Sequence, residues 1–408
     1  MTVLLEVKLA VRNVLRQKRR TIFTVLAILG GFGLSAASIG WADGTYRDII
    51  DLFTRSRTGH IQIHAPGYLD QATLYKTIED YRETGAQVDA VDGVAAWAPR
   101  IYAGGLASVA QKSSGVRLIG IDPRLESAAT RFENQIAEGG MLAAEASRQA
   151  LLGRGLAAVL DARIGDDLIL VSQGADGSIA NDRFRIAGIV ATGDRMTDRM
   201  SCYLHLADAQ EFLYLPGQVH ELAVIAASLD EVPRVTGRLR DALGGRELDI
   251  QPWTVFAKSF YRAMKADMAG MWIMLFVILL VVAVIVLNTV LMSVLERRRE
   301  YGVLRALGTR PRRIVRMVLL ETTVLTLVAM VLGAGLGAGL IAILSRHGIA
   351  LPQPVSYGGM EFDVMRAAFT PRSLYLPAVT VLLTALVISF FPARKAARTE
   401  PAQAMRTH

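Results

Sequence analysis

Three places in the chain put chemically capable side chains at useful spacing. In "GHIQIH" the residues His60, Gln62 and His64 alternate, so a strand would set all three on one face, where two imidazoles can begin a metal site. No carboxylate or cysteine stands beside them, so the histidines read as solvated strand residues and no metal is expected. Asp166 and Asp167 follow Gly165 in a turn before an apolar run, a place that suits solvated carboxylates better than an acid–base pair. A phosphate-cradling loop requires Gly-x4-Gly-Lys-Ser/Thr. The Lys-Ser/Thr pairs here are Lys76-Thr77, Lys112-Ser113 and Lys258-Ser259, and none follows a glycine. "GAGLGAG" (Gly333–Gly339) imitates a dinucleotide fingerprint, but Ala338 stands where its third glycine should be. The single cysteine, Cys202, excludes an internal disulfide and any cysteine-based cluster. No catalytic residue, metal ligand or cofactor emerges, and no nucleic-acid partner is expected.

The elements carrying these residues are largely apolar. The 408 residues are 52% hydrophobic and 20% charged, with mean hydropathy +0.34, which points to a chain partly in lipid. Four stretches, 21–41, 269–295, 315–345 and 373–392, provide the roughly 20 apolar residues that a bilayer requires. Pro377 interrupts the last, which membrane helices tolerate. The first is too long, and its "SAASIGW" end too poor a cleavage site, for a removed leader, so it reads as a retained anchor. Lys and Arg then fix the sides. Residues 1–20, 296–316 and 393–408 hold eighteen basic residues against four acidic ones, and the rest of the chain is net negative. Both termini (1–20 and 393–408) and the arginine loop 296–314 are therefore expected in the cytoplasm, with 42–268 and 346–372 outside.

Periodicity fills in the connections. Leu4, Val7, Val11 and Val14 form one helical face while Lys8, Arg12 and Arg16 recur on another, which predicts an interfacial helix on the cytoplasmic surface. The segment 42–268 is too long for a loop and reads as an α+β domain. Strands are expected at "GHIQIHAPGY", "LILV" (Leu168–Val171) and "FRIAGIVATG" (Phe184–Gly193), and helices at Leu142–Leu160 and Val232–Leu243. "SFYRAMKADM" (Ser259–Met268) reads as a helical stalk entering the second span. Gly333, Gly335, Gly337 and Gly339 form overlapping small-xxx-small pairs, which favour close helix packing, and Asn288 is a lone amide expected to bond to a neighbouring helix.

The arginine loop holds the remaining signal. "RREYGVLRALG" predicts a short helix closed by Gly308, with Pro311 preventing continuation. Val303, Leu304 and Leu307 fall on one face, and Arg298, Arg299, Glu300 and Arg305 supply charge. A lipid-tethered loop would account for the arginines alone. A compact apolar face beside Gly302 suits a protein groove.

On these residues the sequence resembles the FtsX-like permeases of the MacB/Lol type, the membrane subunits of a class of ABC transporters. The resemblance spans nearly the whole chain. It rests on "LAVRNVLRQKRRTIFTVLAI", "GHIQIHAPGY", "LLGRGLAAVLDARIGDDLIL", "ERRREYGVLRALG" and the tail "FPARKAARTEPAQAMR". It implies four transmembrane helices with a large α+β extracytoplasmic domain between the first and second, in the bacterial inner membrane. It implies a second permease copy or paralogue, and a separate ATPase, in two copies, that binds ATP and Mg. In such permeases the loop matching Glu296–Gly308 docks into the ATPase. Glu296, Arg298 and Glu300 would make polar contacts there, and Gly302, Leu304, Ala306 and Leu307 would be buried in the groove, with Arg305 and Gly308 completing the coupling segment. ATP-driven closure would move the spans mechanically and release a lipoprotein or other amphiphile at the outer face. Ile28, Phe32, Met274, Phe276 and Val281 are the candidate substrate contacts. One lipoprotein-releasing subunit hooks a periplasmic chaperone with a long hairpin, whereas this chain has only the short "SQGADGSIAND". The rival readings are efflux of drugs or peptides with a periplasmic adaptor, regulation of cell-wall hydrolases without transport, and a membrane-anchored enzyme.

Overall fold

The computed structural model describes residues 18–357 and 360–398. The interfacial helix expected to carry Lys8, Arg12 and Arg16, and the end of the tail, lie outside the described residues. Helix α1 (Lys18–Phe53) ends in a π-helical turn (Thr54–Thr58) and leads into β1 (Ile61–His64). Next come α2 (Tyr81–Asp89), the hairpin β2 (Val94–Val109) and β3 (Lys112–Ile121), α3 (Pro123–Thr130), β4 (Ile136–Gly139), β5 (Gln149–Gly153) and α4 (Arg154–Leu160). The hairpin β6 (Asp167–Gln173) and β7 (Ile179–Val190) is followed by α5 (Arg195–Met200), β8 (Ser201–His205), α6 (Leu206–Phe212), β9 (Glu221–Ala226) and α7 (Val232–Ala242). Then β10 (Asp249–Pro252) and α8 (Trp253–Phe256) precede α9 (Lys258–Glu296), α10 (Arg298–Ala306) and α11 (Pro311–His347). The chain closes with β11 (Ile349–Tyr357), β12 (Met360–Met365) and α12 (Pro371–Ala397). Contacts divide it into two units, residues 18–46, 264–350 and 364–398 in one and 47–263 with 351–363 in the other.

The first unit is built from four helices long and apolar enough to cross a membrane: α1, α9, α11 and α12. Proline starts α11 and α12 at the one helical turn that needs no N–H, and Thr370 caps α12 by accepting from Ser373 N. The shared core takes Ile28, Phe32 and Ala36 from α1 and Val282, Val286, Val290 and Val294, spaced every four residues, from α9. Val318 and Ala329 of α11 and Val381, Ala385 and Ala393 of α12 complete it. Two of the four clustered glycines permit the approach of α11 to α1. A Cβ on Gly337 would stand 2.8 Å from Ala36 Cβ, and one on Gly333 would stand 3.1 Å from both Leu29 O and Phe32 Cβ. Gly335 and Gly339 meet no atom of the described residues within 4 Å. Gly337→Leu is accordingly expected to lower the thermal midpoint of the solubilised chain by the equivalent of about 1–3 kcal/mol, while Gly335→Leu leaves it unchanged. A hairpin, β11–β12, occupies the segment expected to be a plain loop.

The second unit is the expected α+β domain. Its ten strands run β10-β1-β9-β2-β3-β8-β5-β7-β4, with β6 joining β2 to β7. Strands β6 and β7 are longer than their apolar runs suggested, so the polar turn between them shrinks to residues 174–178. The segment 142–160 corrects another expectation. Only its end is helical, because "QALLG" is drawn into the sheet as β5, parallel to β7 and antiparallel to β8.

Strand β1 lies inside the sheet, between β10 and β9, so the histidines are buried and not solvated. His60 and His64 are each 1% exposed. His64 Nδ1 lies 2.8 Å from His220 O and its Nε2 lies 3.2 Å from Gln62 Oε1, and no metal-holding group of side chains occurs among the described residues. His60 accepts from Ala226 N through Nδ1, while its buried Nε2 has no partner. Burial drives its pKa from 6.5 down to about 4, a shift that the Asp51 carboxylate opposes and Arg55 reinforces. His220 shifts the same way for the same first reason. The unfolded chain therefore binds the extra proton between pH 6.5 and about 4, and this part of the stability falls as pH drops through that window. His60→Asn keeps an acceptor for Ala226 N without a titrating group. It is expected to flatten the acid limb of a stability–pH profile by up to about 1.4 kcal/mol per pH unit.

The end of α1's π turn leaves carbonyls that need donors. Ser56 O accepts from Gln135 Nε2 (2.7 Å), Arg57 O from Arg100 Nη1 (2.6 Å) and Thr58 O from Gln62 Nε2 (2.8 Å). Arg100 is itself buried and grips Glu126 with two bonds, 3.0 and 2.6 Å, and Glu221 with one of 3.1 Å. Burial would lower the pKa of its guanidinium, but Glu126 first, then Tyr102 and Glu221, raise it well above its ordinary value.

Candidate functional site

The loop between α9 and α11 folds as expected into a short helix, and its ends follow from local chemistry. Gly308, at φ +83°, takes the left-handed position beyond the last turn. Gly308 N donates to Arg305 O at 3.1 Å and Thr309 N to Leu304 O at 3.0 Å, the paired bonds of a Schellman end. Pro311 then begins the next helix.

Three residues not singled out by spacing fix α10 in place. Arg297 donates to Glu300 and to Glu321 of α11, each at 2.8 Å, and the Arg297 and Glu321 side chains are both only 12% exposed. The Arg297 guanidinium also lies 5.4 Å from the Tyr301 ring centre. Tyr301, 1% exposed, packs into the helix core with Val294, Ile314, Val318 and Ala393. The signal for this brace was Glu321, an acid on the edge of an apolar run, where a charge is costly without a nearby cation.

The brace decides which side of α10 faces outward. Gly302 is buried within this chain, and Leu304 packs partly against the helix core, so neither is free to enter a partner's groove. Val303 (45% exposed), Ala306 and Leu307 (78% exposed) form the outward apolar edge instead. Glu296, Arg298, Arg299 and Glu300 are exposed beside it, while Arg305 is half-buried and reaches Thr309 O at 3.4 Å. The surface is a rigid, basic helix with a small apolar ridge, and it contains no group suited to catalysis.

The candidate substrate contacts separate into two sets. Ile28 is 1% exposed in the bundle's own core, and Phe32, 2% exposed, lines an open apolar groove with Leu327, Met330, Leu374 and Tyr375. An apolar run hides its inward face, because every side of it is hydrophobic. Met274, Phe276 and Val281 are exposed on α9, as is Asn288, which makes no hydrogen bond to another helix among the described residues.

Residues 21–242 match the MacB-like periplasmic core domain, and residues 272–401 match the FtsX-like permease C-terminal domain. The chain is 24% identical to the lipoprotein-releasing system transmembrane protein LolC of Neisseria meningitidis serogroup B, over 96% of this chain and 97% of that one. It is 25% identical to LolE of the same system in Haemophilus influenzae, over 72% of this chain and 73% of its relative. The periplasmic region of MacB from Actinobacillus actinomycetemcomitans aligns at 14% identity and a TM-score of 0.37, over 52% of this chain and 98% of that structure.

Proposed function

Because the chain belongs to the FtsX-like permeases with a MacB-like periplasmic core domain, the membrane subunits of ABC transporters, we propose that it couples a separate ATPase to lipoprotein release. The observation that carries this reading is the outward ridge Val303–Ala306–Leu307 on a helix locked to the spans by Arg297–Glu321 and Tyr301. Two ATPase copies, each bound to ATP and Mg, draw together and push on α10 of each permease. The largely covered Arg297–Glu321 pair and the buried Tyr301 tie α10 to the bundle, so its displacement passes to α11 and α9. Helix α9 runs without a break from Lys258 to Glu296 and carries the movement along its length. A second permease copy or paralogue faces the exposed apolar side of α9. The cargo is a lipoprotein or similar amphiphile in the outer leaflet of the inner membrane, with both termini of this chain in the cytoplasm. The LolC relative, named for lipoprotein release, aligns over 96% of this chain, which supports this cargo over a drug or peptide.

The test is reconstitution of the chain with its ATPase in vesicles carrying a fluorescent triacylated peptide. ATP is expected to transfer the peptide to an external acceptor. Transfer no faster than in vesicles lacking the ATPase would contradict the reading.

A further inference from the structure

The second unit holds a cavity of about 890 Å³ that none of the coupling chemistry uses. Its wall is one face of adjacent strands of the sheet, and its size lies within the range of small-molecule sites. Three guanidinium groups reach it. Arg57 is held by Asp194 and Thr197, both at 2.7 Å, and Arg100 is held by Glu126 and Glu221. The third, Arg117, is exposed and makes no ion pair among the described residues. Its guanidinium carbon lies over the Tyr102 ring, 4.6 Å from the centre. A cation flattened on an aromatic face keeps its edge donors available to an oxyanion. The Tyr68 and Tyr102 hydroxyls also line the cavity, and burial, then the Glu221 charge, keep both phenols protonated, so they add no competing negative charge.

The remaining lining is mixed: Ser56, Gln135 and Thr192 are polar, but several apolar side chains stand where solvent would favour polar groups. Leu69, Met196 and Met200 are 39%, 68% and 46% exposed. Phe53 and Phe260, stacked with their centres 4.0 Å apart, form another part of the lining. Methionines accommodate a flexible chain of varying shape. The two characters adjoin, because Arg117 pairs across β3–β8 with Ser201, the neighbour of Met200.

We propose that this cavity binds an anionic amphiphile, with Arg117 receiving a carboxylate or phosphate head group and Met196, Met200, Phe53 and Phe260 receiving its hydrocarbon. The site stands apart from the coupling reading, since binding there requires neither the ATPase nor ATP.

The test uses the full chain in phosphatidylcholine nanodiscs, a palmitate carrying a photoreactive diazirine, and mass mapping of labelled peptides. Label is expected on peptides containing Leu69 or residues 195–200. Arg117→Ala should reduce it about tenfold, the scale of one charge-assisted contact, and leave any label on the span helices unchanged. The exposed pair Met196→Gln and Met200→Gln should reduce it as well. Unlabelled palmitate and lysophosphatidic acid, added in separate arms, identify which head group competes. Label confined to the spans, equal labelling by the uncharged diazirine alcohol, no response to Arg117→Ala, or displacement by neither competitor would each overturn the proposal.

Discussion

Leu307→Asp is expected to abolish co-purification of the ATPase subunit while the chain still inserts and folds. Leu307 is 78% exposed and lies outside the bundle core, so a charge there costs this chain little. In a partner's apolar groove the same carboxylate would be desolvated without a counter-ion. Losing an anchoring side chain at the centre of such an interface costs about 2–4 kcal/mol, enough to remove a complex of ordinary affinity from a pull-down. Val303→Asp should act in the same direction. Leu304→Asp is a poorer probe, because Leu304 packs on the helix core and its substitution damages the permease itself. Quantifying the ATPase that elutes with tagged permease, normalised to permease recovered in the membrane fraction, separates the two effects. Unchanged recovery with Leu307→Asp would remove α10 as the docking element.

Arg100→Met is expected to destabilise the extracytoplasmic unit by about 3–5 kcal/mol. The side chain joins Glu126, Glu221 and the Arg57 carbonyl at the end of α1's π turn, and the Thr130 and Tyr102 hydroxyls that also donate to the two carboxylates bring no charge. Glu126 and Glu221 are 2% and 4% exposed, so removing the guanidinium leaves two carboxylates buried without their cation. Denaturant melts of the full chain in nanodiscs, followed by the fluorescence of Trp97 and Trp253, measure the effect. Glu126→Gln in the Arg100→Met background should recover part of it. Equal stability of wild type and Arg100→Met would show that the network does not hold the unit together.

Much of this architecture was legible in the sequence because its cause is local. Long apolar runs and the distribution of arginine mark the four spans, and Gly308 with Pro311 marks a short helix whose ends depend only on their own backbone. What stayed hidden depends on partners distant in the chain. "QALLG" has helical spacing, yet β7 and β8 claim it as a strand. His60 and His64 alternate like a half-exposed strand, but β9 and β10 flank them on both sides. The face of α10 could not be assigned from its period, because Arg297 finds Glu321 on another helix and that contact sets the rotation. The buried face of α1, with Ile28 and Phe32 on it, is hidden for the same reason, since a uniformly apolar helix carries no mark of which side meets its neighbours.

The central claim is that force from a separate ATPase enters at the α10 ridge beneath the bilayer, and the chain is well suited to a direct thiol test. Its one native cysteine, Cys202, is fully buried, and burial pushes its thiol up to about 12, so it stays unreactive. In Leu307→Cys the introduced thiol is therefore the reactive one. A membrane-impermeant maleimide should label it in inside-out vesicles, not in intact spheroplasts, and added ATPase should protect it. Labelling from the outer side, or labelling in inside-out vesicles at the same rate with and without the ATPase, would contradict the claim.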